Sequence, residues 1–252
     1  MATAANGVNE ALLLAARRRG WAPTNAGTRL RAWYQRSVTL VPNATWHDIS
    51  GNNFDLTSAV PDPLYTANDA DFADYATFAG GFDAGAGSNR GFASGISMGT
   101  AAHAVGIFLA TKSNGAVSGS LGYVVDGSIT LPNACTLVRA SAAPDGFGIQ
   151  QQTDGTVPVF AAVDTTVKRV VSMIIRPGGT SEVHIDRGRV SASGALAAAV
   201  NFDGIANVFQ DNVFLQPWDG RTPEIFVIED PTAQEILDAA TYLGGAYGIP
   251  LV

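Results

Sequence analysis

Apolar and polar residues alternate along this chain with two different periods, and the clearest case is near its end. In Glu224-Ile225-Phe226-Val227-Ile228-Glu229 every position between the glutamates is apolar. An extended chain carries Ile225 and Val227 on one face and Phe226 and Ile228 on the other, so the pattern predicts an inner strand covered on both sides. Thr232 and Glu235 then stand at capping-box spacing behind Pro231, and Ile236, Ala240, Leu243 and Tyr247 recur at helical spacing. This predicts a short C-terminal helix leaning on the strand, with Gly244-Gly245 as its stop.

Upstream the period is mostly two. Short apolar or alternating runs at residues 105–111, 119–125, 128–131, 136–140, 147–151 and 157–163 are separated by Asn114-Gly115, Asp126-Gly127, Asp145-Gly146 and Asp154-Gly155. These dipeptides are strong hairpin signals. Residues 168–176, Pro177-Gly178-Gly179 and 181–186 form a further predicted hairpin, with 189–191 as its meander partner. Residues 30–41 open the series with strand-forming residues, and 45–56 predict a tight polar corner pinned by aromatic side chains. Residues 80–89, rich in Gly and Ala, predict a loop. Many strands without intervening helices predict an all-β sandwich or jelly roll.

At the other end, residues 9–19 predict a short helix with Glu10 in its first turn, arginines in its last and Gly20 as its stop. Its Leu12, Leu13 and Leu14 need a partner surface, either this protein's own body or another subunit, for which they are a candidate anchor. Residues 20–28 predict a linker, so the expected organisation is an N-terminal helical extension over 1–27 and a jelly-roll domain over 28–252.

Composition narrows the partners. Of 252 residues, 46% are hydrophobic and 15% charged, with 28 Gly and 12 Pro, which suits short strands and tight turns. The net charge of −7 opposes binding to nucleic acid or anionic lipid. No stretch has the length of a membrane span, and the arginines after the apolar run at 11–16 are in the reverse order to a signal peptide. Synthesis in the cytoplasm without export is therefore expected. The single cysteine, Cys135, forms no intrachain disulfide.

The ordered pieces resemble the concanavalin A-like (laminin-G-like) jelly-roll domain of tailed-phage virion structural proteins. The residues that carry the resemblance are Leu30-Arg31-Ala32-Trp33-Tyr34, the corner from Trp46 to Thr57, Pro63-Leu64-Tyr65 with Asp71, Val183-His184-Ile185-Asp186-Arg187-Gly188, Phe202-Asp203-Gly204, the strand from Glu224 to Glu229, and the helix from Glu235 to Pro250. The resemblance implies a concanavalin A-like β-sandwich with short N-terminal and C-terminal helices. Such folds host lectins, hydrolases and inert structural modules alike.

Candidate chemistry is sparse. Glycosidases of this fold, as the resemblance implies, carry a Glu-x-Asp-x-x-Glu run on a strand, and this chain lacks it. Glu224 and Glu229 are five apart and face opposite sides of a regular strand, while Glu182, His184 and Asp186 share a face expected to be solvated. No catalytic residue is assigned. His47, His103 and His184 have no zinc spacing, and no metal site is assigned. Asn68, Asp69, Asp71 and Asp74 offer oxygens to calcium without an EF-hand pattern, so no cofactor is expected beyond that calcium candidate. Sugar sites use aromatic platforms flanked by amides and carboxylates, which makes Trp46 with Asn52 and Asn53, and Trp218 with Asp219, the candidate glycan-binding residues.

The first expectation is a non-enzymatic virion structural protein of a phage or phage-like particle, a capsid decoration or head fibre on the virion surface. It would contact other virion proteins of capsid or tail, form homo-oligomers, and possess no membrane insertion. The alternative is a carbohydrate-binding, lectin-like adhesion module for host glycans, such as a tail receptor-binding protein. A glycoside hydrolase comes last.

Overall fold

The computed structural model describes residues 20–35, 45–58, 64–73, 75–79, 81–83, 88–97, 103–114, 122–127, 135–140, 145–151, 156–186, 190–196, 204–209 and 218–252. Along them run β1 (Leu30–Gln35), β2 (Thr45–Trp46), β3 (Leu56–Ser58), β4 (Leu64–Asp69), β5 (Tyr75–Ala79), β6 (Gly81–Asp83), β7 (Ser88–Arg90), β8 (Phe92–Ser97) and β9 (Val105–Ser113). The second half holds β10 (Gly122–Gly127), β11 (Cys135–Ala140), β12 (Gly146–Gln151), β13 (Val159–Ala162), β14 (Arg169–Ile175), β15 (Thr180–Ile185), β16 (Ala192–Ala195), β17 (Gly204–Val208), β18 (Gly220–Glu229) and the helix α1 (Ala233–Tyr247).

The strands form two antiparallel sheets of eight. One has the order β16-β15-β14-β9-β18-β5-β4, with β1 also paired to β18, and the other β13-β12-β11-β10-β17-β8-β3-β2. The strand β18 is inner, as its pattern predicts: β9 runs along one edge, while β5 pairs at Arg221–Thr222 and β1 from Glu224 to Ile228 on the other. Its Ile225 and Val227 enter the core between the sheets with Leu109 and Met173. Phe226 and Ile228 enter a second core on the outer face, with Phe108, Ile236, Ala240 and Leu243. The result is sheet on sheet with a helix as third layer, an all-β jelly-roll sandwich in which the helix contributes cover.

The helix begins where the capping box places it: Thr232 Oγ1 accepts from the Glu235 N–H at 3.2 Å, and the Glu235 carboxylate accepts from the Thr232 N–H at 2.8 Å. It does not stop at Gly244-Gly245. It continues to Tyr247, and Gly248 supplies the left-handed residue at φ 61°. Gly244 serves close packing instead, since a Cβ there would lie 2.9 Å from Leu251 Cδ2.

Residues 20–28, expected as a linker, belong to the body. Pro23–Arg29 is a 3-10 turn with Pro23 and Ala26 buried. The Trp21 ring lies 6.1 Å from Phe226 and 6.0 Å from Tyr242, and Arg29 pairs with Glu235 at 2.5 Å. The expected helix over 9–19, with Leu12, Leu13 and Leu14, lies outside the described residues.

Other local expectations shift for identifiable reasons. Asp126-Gly127 is not a hairpin turn: both residues pair with β17, and Gly127 sits at a register shift, the bulge role open to glycine. Part of the loop expected over 80–89 forms the ribbon β6-β7. The expected strand at 128–131 lies outside the described residues. The corner at 45–56 is pinned by carboxylates as well as rings, because Asp48 accepts from the N–H groups of Trp33, Ser50 and Phe54.

Candidate functional site

Both tryptophans assigned to sugar recognition are interior. Trp46 is 0% exposed and its ring lies 5.7 Å from Tyr34, 5.0 Å from Phe78 and 5.9 Å from Phe92. Trp218 is 0% exposed against Phe147 at 5.8 Å. A ring with no exposed face offers a pyranose nothing to stack on, so neither Trp46 nor Trp218 is a platform. Their polar companions are occupied in holding the fold. Asn52 Nδ2 donates to the carbonyls of Leu30 and Arg31 at 2.8 and 2.9 Å, and Asp219 Oδ1 accepts from Asn114 at 3.0 Å. Asn53 is exposed in the left-handed region at φ 59°.

The acidic candidates are likewise engaged. Glu224, 0% exposed, accepts from Trp33 Nε1 at 2.6 Å, Tyr242 Oη at 3.0 Å and Tyr247 Oη at 2.5 Å. Glu229 is paired with Arg31. The face carrying Glu182, His184 and Asp186 is not solvated as expected, because His184 and Asp186 are buried, with His184 Nε2 3.2 Å from Glu182. The calcium candidates Asp69 and Asp71 face cations: Asp69 accepts from Arg221 at 2.8 Å, and Asp71 accepts from Lys112 at 2.7 Å and also from Arg221. The Lys112 hydrogen bond, with Arg221 beside it, holds the Asp71 carboxyl below the usual carboxylate range. A cation would have to displace these partners. Among the described residues no group of three or more His, Cys, Asp or Glu is arranged to hold a metal.

A cleft lies elsewhere, at the edge of the sandwich where β13 meets β14 and β15. It encloses about 350 Å³ and is lined by Phe160 to Val163, Arg169, Ile185, Asp186, Val190, Ser191 and Val252. The edge strand β13 supplies one wall, pairing in its sheet with β12 alone. Val159 and Ala161 point into the core, so the intervening Phe160 stands on the outer face, half-buried. Gly146 and Gly148 of β12 make room for that ring: a Cβ at Gly146 would lie 2.7 Å from Phe160 Cζ, and one at Gly148 3.1 Å from its Cδ2.

The opposite wall is charged and ordered. Arg169 Nη1 donates to Asp186 Oδ2 at 2.6 Å and its Nε donates to the Asp164 carbonyl at 3.0 Å. Asp186 Oδ1 accepts from the Val170 N–H at 2.8 Å, and its carbonyl accepts from the Val252 N–H at 3.0 Å. Asp186 holds φ 52°, a left-handed conformation that turns the chain out of β15. Ser191 Oγ accepts from the Ile185 N–H at 3.0 Å, fixing that lip. Val190 and Val252 are 44% and 76% exposed at the rim. The edge of β13 from Phe160 to Val163, a guanidinium paired to a carboxylate, a hydroxyl and apolar rims thus converge on a small concavity, the make-up of a site for a polar organic ligand.

Of these cleft residues the sequence marks only Asp186, as a carboxylate beside Glu182 and His184, and marks none as a binding group. The available signal was Gly146 and Gly148, two apart on a strand, which marks a place where something bulky lies close over the sheet.

No known family model matches the chain, and no curated protein matches its sequence. Solved structures do match it in shape. A botulinum neurotoxin type C structure, of a toxin dependent on interaction with two ganglioside molecules to get into cells, superposes with TM-score 0.61 at 12% identity over 88% of this chain and 53% of that one. Domain 4 of AbnA, an extracellular GH43 arabinanase from Geobacillus stearothermophilus in complex with arabinotriose, gives TM-score 0.56 at 16% identity over 84% of this chain and 98% of that domain. Trypanosoma rangeli sialidase gives 0.59 at 9% identity over 86% of this chain and 33% of the enzyme. The chain thus spans about half the length of the toxin chains it resembles. At these identities the likeness is one of fold, and the fold is a β-sandwich of jelly-roll type.

Proposed function

We propose that this chain is a non-enzymatic carbohydrate-binding module whose ligand sits in the cleft between β13 and the β14-β15 hairpin. The observation that carries the reading is the cleft of about 350 Å³ in which the edge of β13, from Phe160 to Val163, faces the Arg169–Asp186 pair and Ser191. A sugar presents apolar C–H faces to apolar side chains and hydroxyls to charged or hydroxyl groups, and the cleft offers both, in Val163, Ile185 and Val190 and in the Arg169–Asp186 pair with Ser191. Support from outside the chain comes from relatives in shape that carry or depend on glycans. The engagement of Glu224 and Glu229 by structural partners supports a binding role over hydrolysis.

The test is a glycan array followed by calorimetry on the strongest hit. Wild type is expected to bind saturably and Val190→Trp, which crowds the rim, to bind about tenfold more weakly or worse, with circular dichroism unchanged. Unaltered affinity in that variant would sink the assignment of the cleft.

A finer part of the proposal is display on a phage or phage-like particle, as a capsid decoration, head fibre or tail adhesin. It is supported by the order of pieces from Leu30 to Pro250 in the sequence. Mass spectrometry of density-purified particles would find this chain in fixed ratio to the major capsid protein, and its absence from them would contradict the placement.

A further inference from the structure

We infer that the cleft takes the free end of a glycan, one or two sugar residues deep, and not an internal stretch of polysaccharide; the inference rests on the glycan-binding reading above. The cleft is short along the direction of β13. That strand has four residues, so the wall is about 13 Å long at the ~3.3 Å rise of an extended residue.

Both ends of the wall are closed by contacts. At its start, Gly194 of β16 lies so close to the Pro158 carbonyl that a Cβ there would collide with it. This brings the two sheet edges together. At its far end the chain itself crosses to the opposite wall, where the Asp164 carbonyl accepts from Arg169 Nε at 3.0 Å. A polymer lying along the strand would have to pass through one of these closures.

The volume agrees with the length. About 350 Å³ stands at the lower end of the ~300–1,000 Å³ of small-ligand sites. The Arg169–Asp186 pair lies on the wall facing the edge strand, with a side-chain exposure of only 20% and 4%. Hydroxyls that reach it must come from a residue inserted from the rim between Val190 and Val252. A terminal residue has an extra free hydroxyl and no onward linkage, so it enters without breaking either closure.

The experiment is calorimetry of the full chain with arabino-, galacto- and gluco-oligosaccharide ladders, each from the monosaccharide to the hexasaccharide, with end-capped versions in which the terminal hydroxyls are methylated. The expected result is an affinity that levels off at the disaccharide and falls about tenfold or more on capping. Affinity that climbs about tenfold or more from disaccharide to hexasaccharide and survives capping would overturn the inference while leaving the glycan reading intact. Failure of every glycan on the array and in the ladders would overturn both.

Discussion

Tyr247 Oη donates to Glu224 Oε2 at 2.5 Å, joining the last turn of α1 to the central strand β18. Glu224 is 0% exposed and shares its other oxygen between Trp33 and Tyr242. A buried acceptor that loses a donor keeps its desolvation cost, so Tyr247→Phe is expected to destabilise the protein by about 1–3 kcal/mol. Urea denaturation read by tryptophan fluorescence measures it; a midpoint equal to wild type would show that the contact does not fasten the helix.

The burial of Trp46 separates two accounts of sugar recognition. Its ring packs on Tyr34, Phe78 and Phe92 in the core, and Trp46→Ala is expected to cost about 3–5 kcal/mol. Any loss of glycan binding in this variant should track loss of folded protein, whereas Val190→Trp at the rim of the cleft should lose binding while fully folded. A folded Trp46→Ala protein that binds no sugar would restore the tryptophan to the site.

Acid should weaken the fold through carboxyls held below their ordinary values, Asp71 and Glu235 among them. For Asp71 the cause is the Lys112 hydrogen bond, aided by Arg221. For Glu235 burial pushes upward, but Arg29 and Thr232 prevail and the net direction is down. Each group binds fewer protons folded than unfolded, so its contribution is fully present above the unfolded value, about 3.9 for Asp and 4.3 for Glu, and is lost as pH falls through the lower folded value. Denaturation midpoints collected from neutral pH to below these values should fall in that window, and Lys112→Met should flatten the fall. An unchanged slope in the variant would remove Lys112 from the account.

Gly194 is predicted to be intolerant of any side chain. Its Cβ would strike the Pro158 carbonyl, which is backbone and cannot rotate aside. Gly194→Ala should destabilise by about 1–3 kcal/mol and loosen the closure at the start of β13, seen as faster amide exchange at Val159 and Phe160. Wild-type exchange in that variant would mean that the two sheet edges are not held together there.

What could be read from the sequence was local. The strand β18 and the helix after it were legible because Ile225 to Ile228 need cover on both faces and Thr232 with Glu235 makes a cap from neighbouring residues. The stop at Gly244-Gly245 was misplaced because a glycine needed for close approach to Leu251 looks the same in sequence as one needed for a left-handed φ. The corner after Trp46 was legible as a corner, but whether the indole points in or out depends on β2 facing the opposite sheet, a tertiary fact. The cleft was hidden for the same reason. Phe160, Arg169, Asp186, Ser191 and Val252 come from separate elements, and only the stacking of one sheet edge over the other brings them together. No spacing rule records that.

The central claim is that sugar binds between β13 and the β14-β15 hairpin, and methyl NMR of the full chain titrated with the tightest oligosaccharide tests it most directly. The account predicts saturable shifts at Val163, Ile185, Val190 and Val252, which line the cleft, with Ile49 at the polar corner unmoved. Shifts confined to Ile49 and its neighbours, or to any surface other than this cleft, would contradict it.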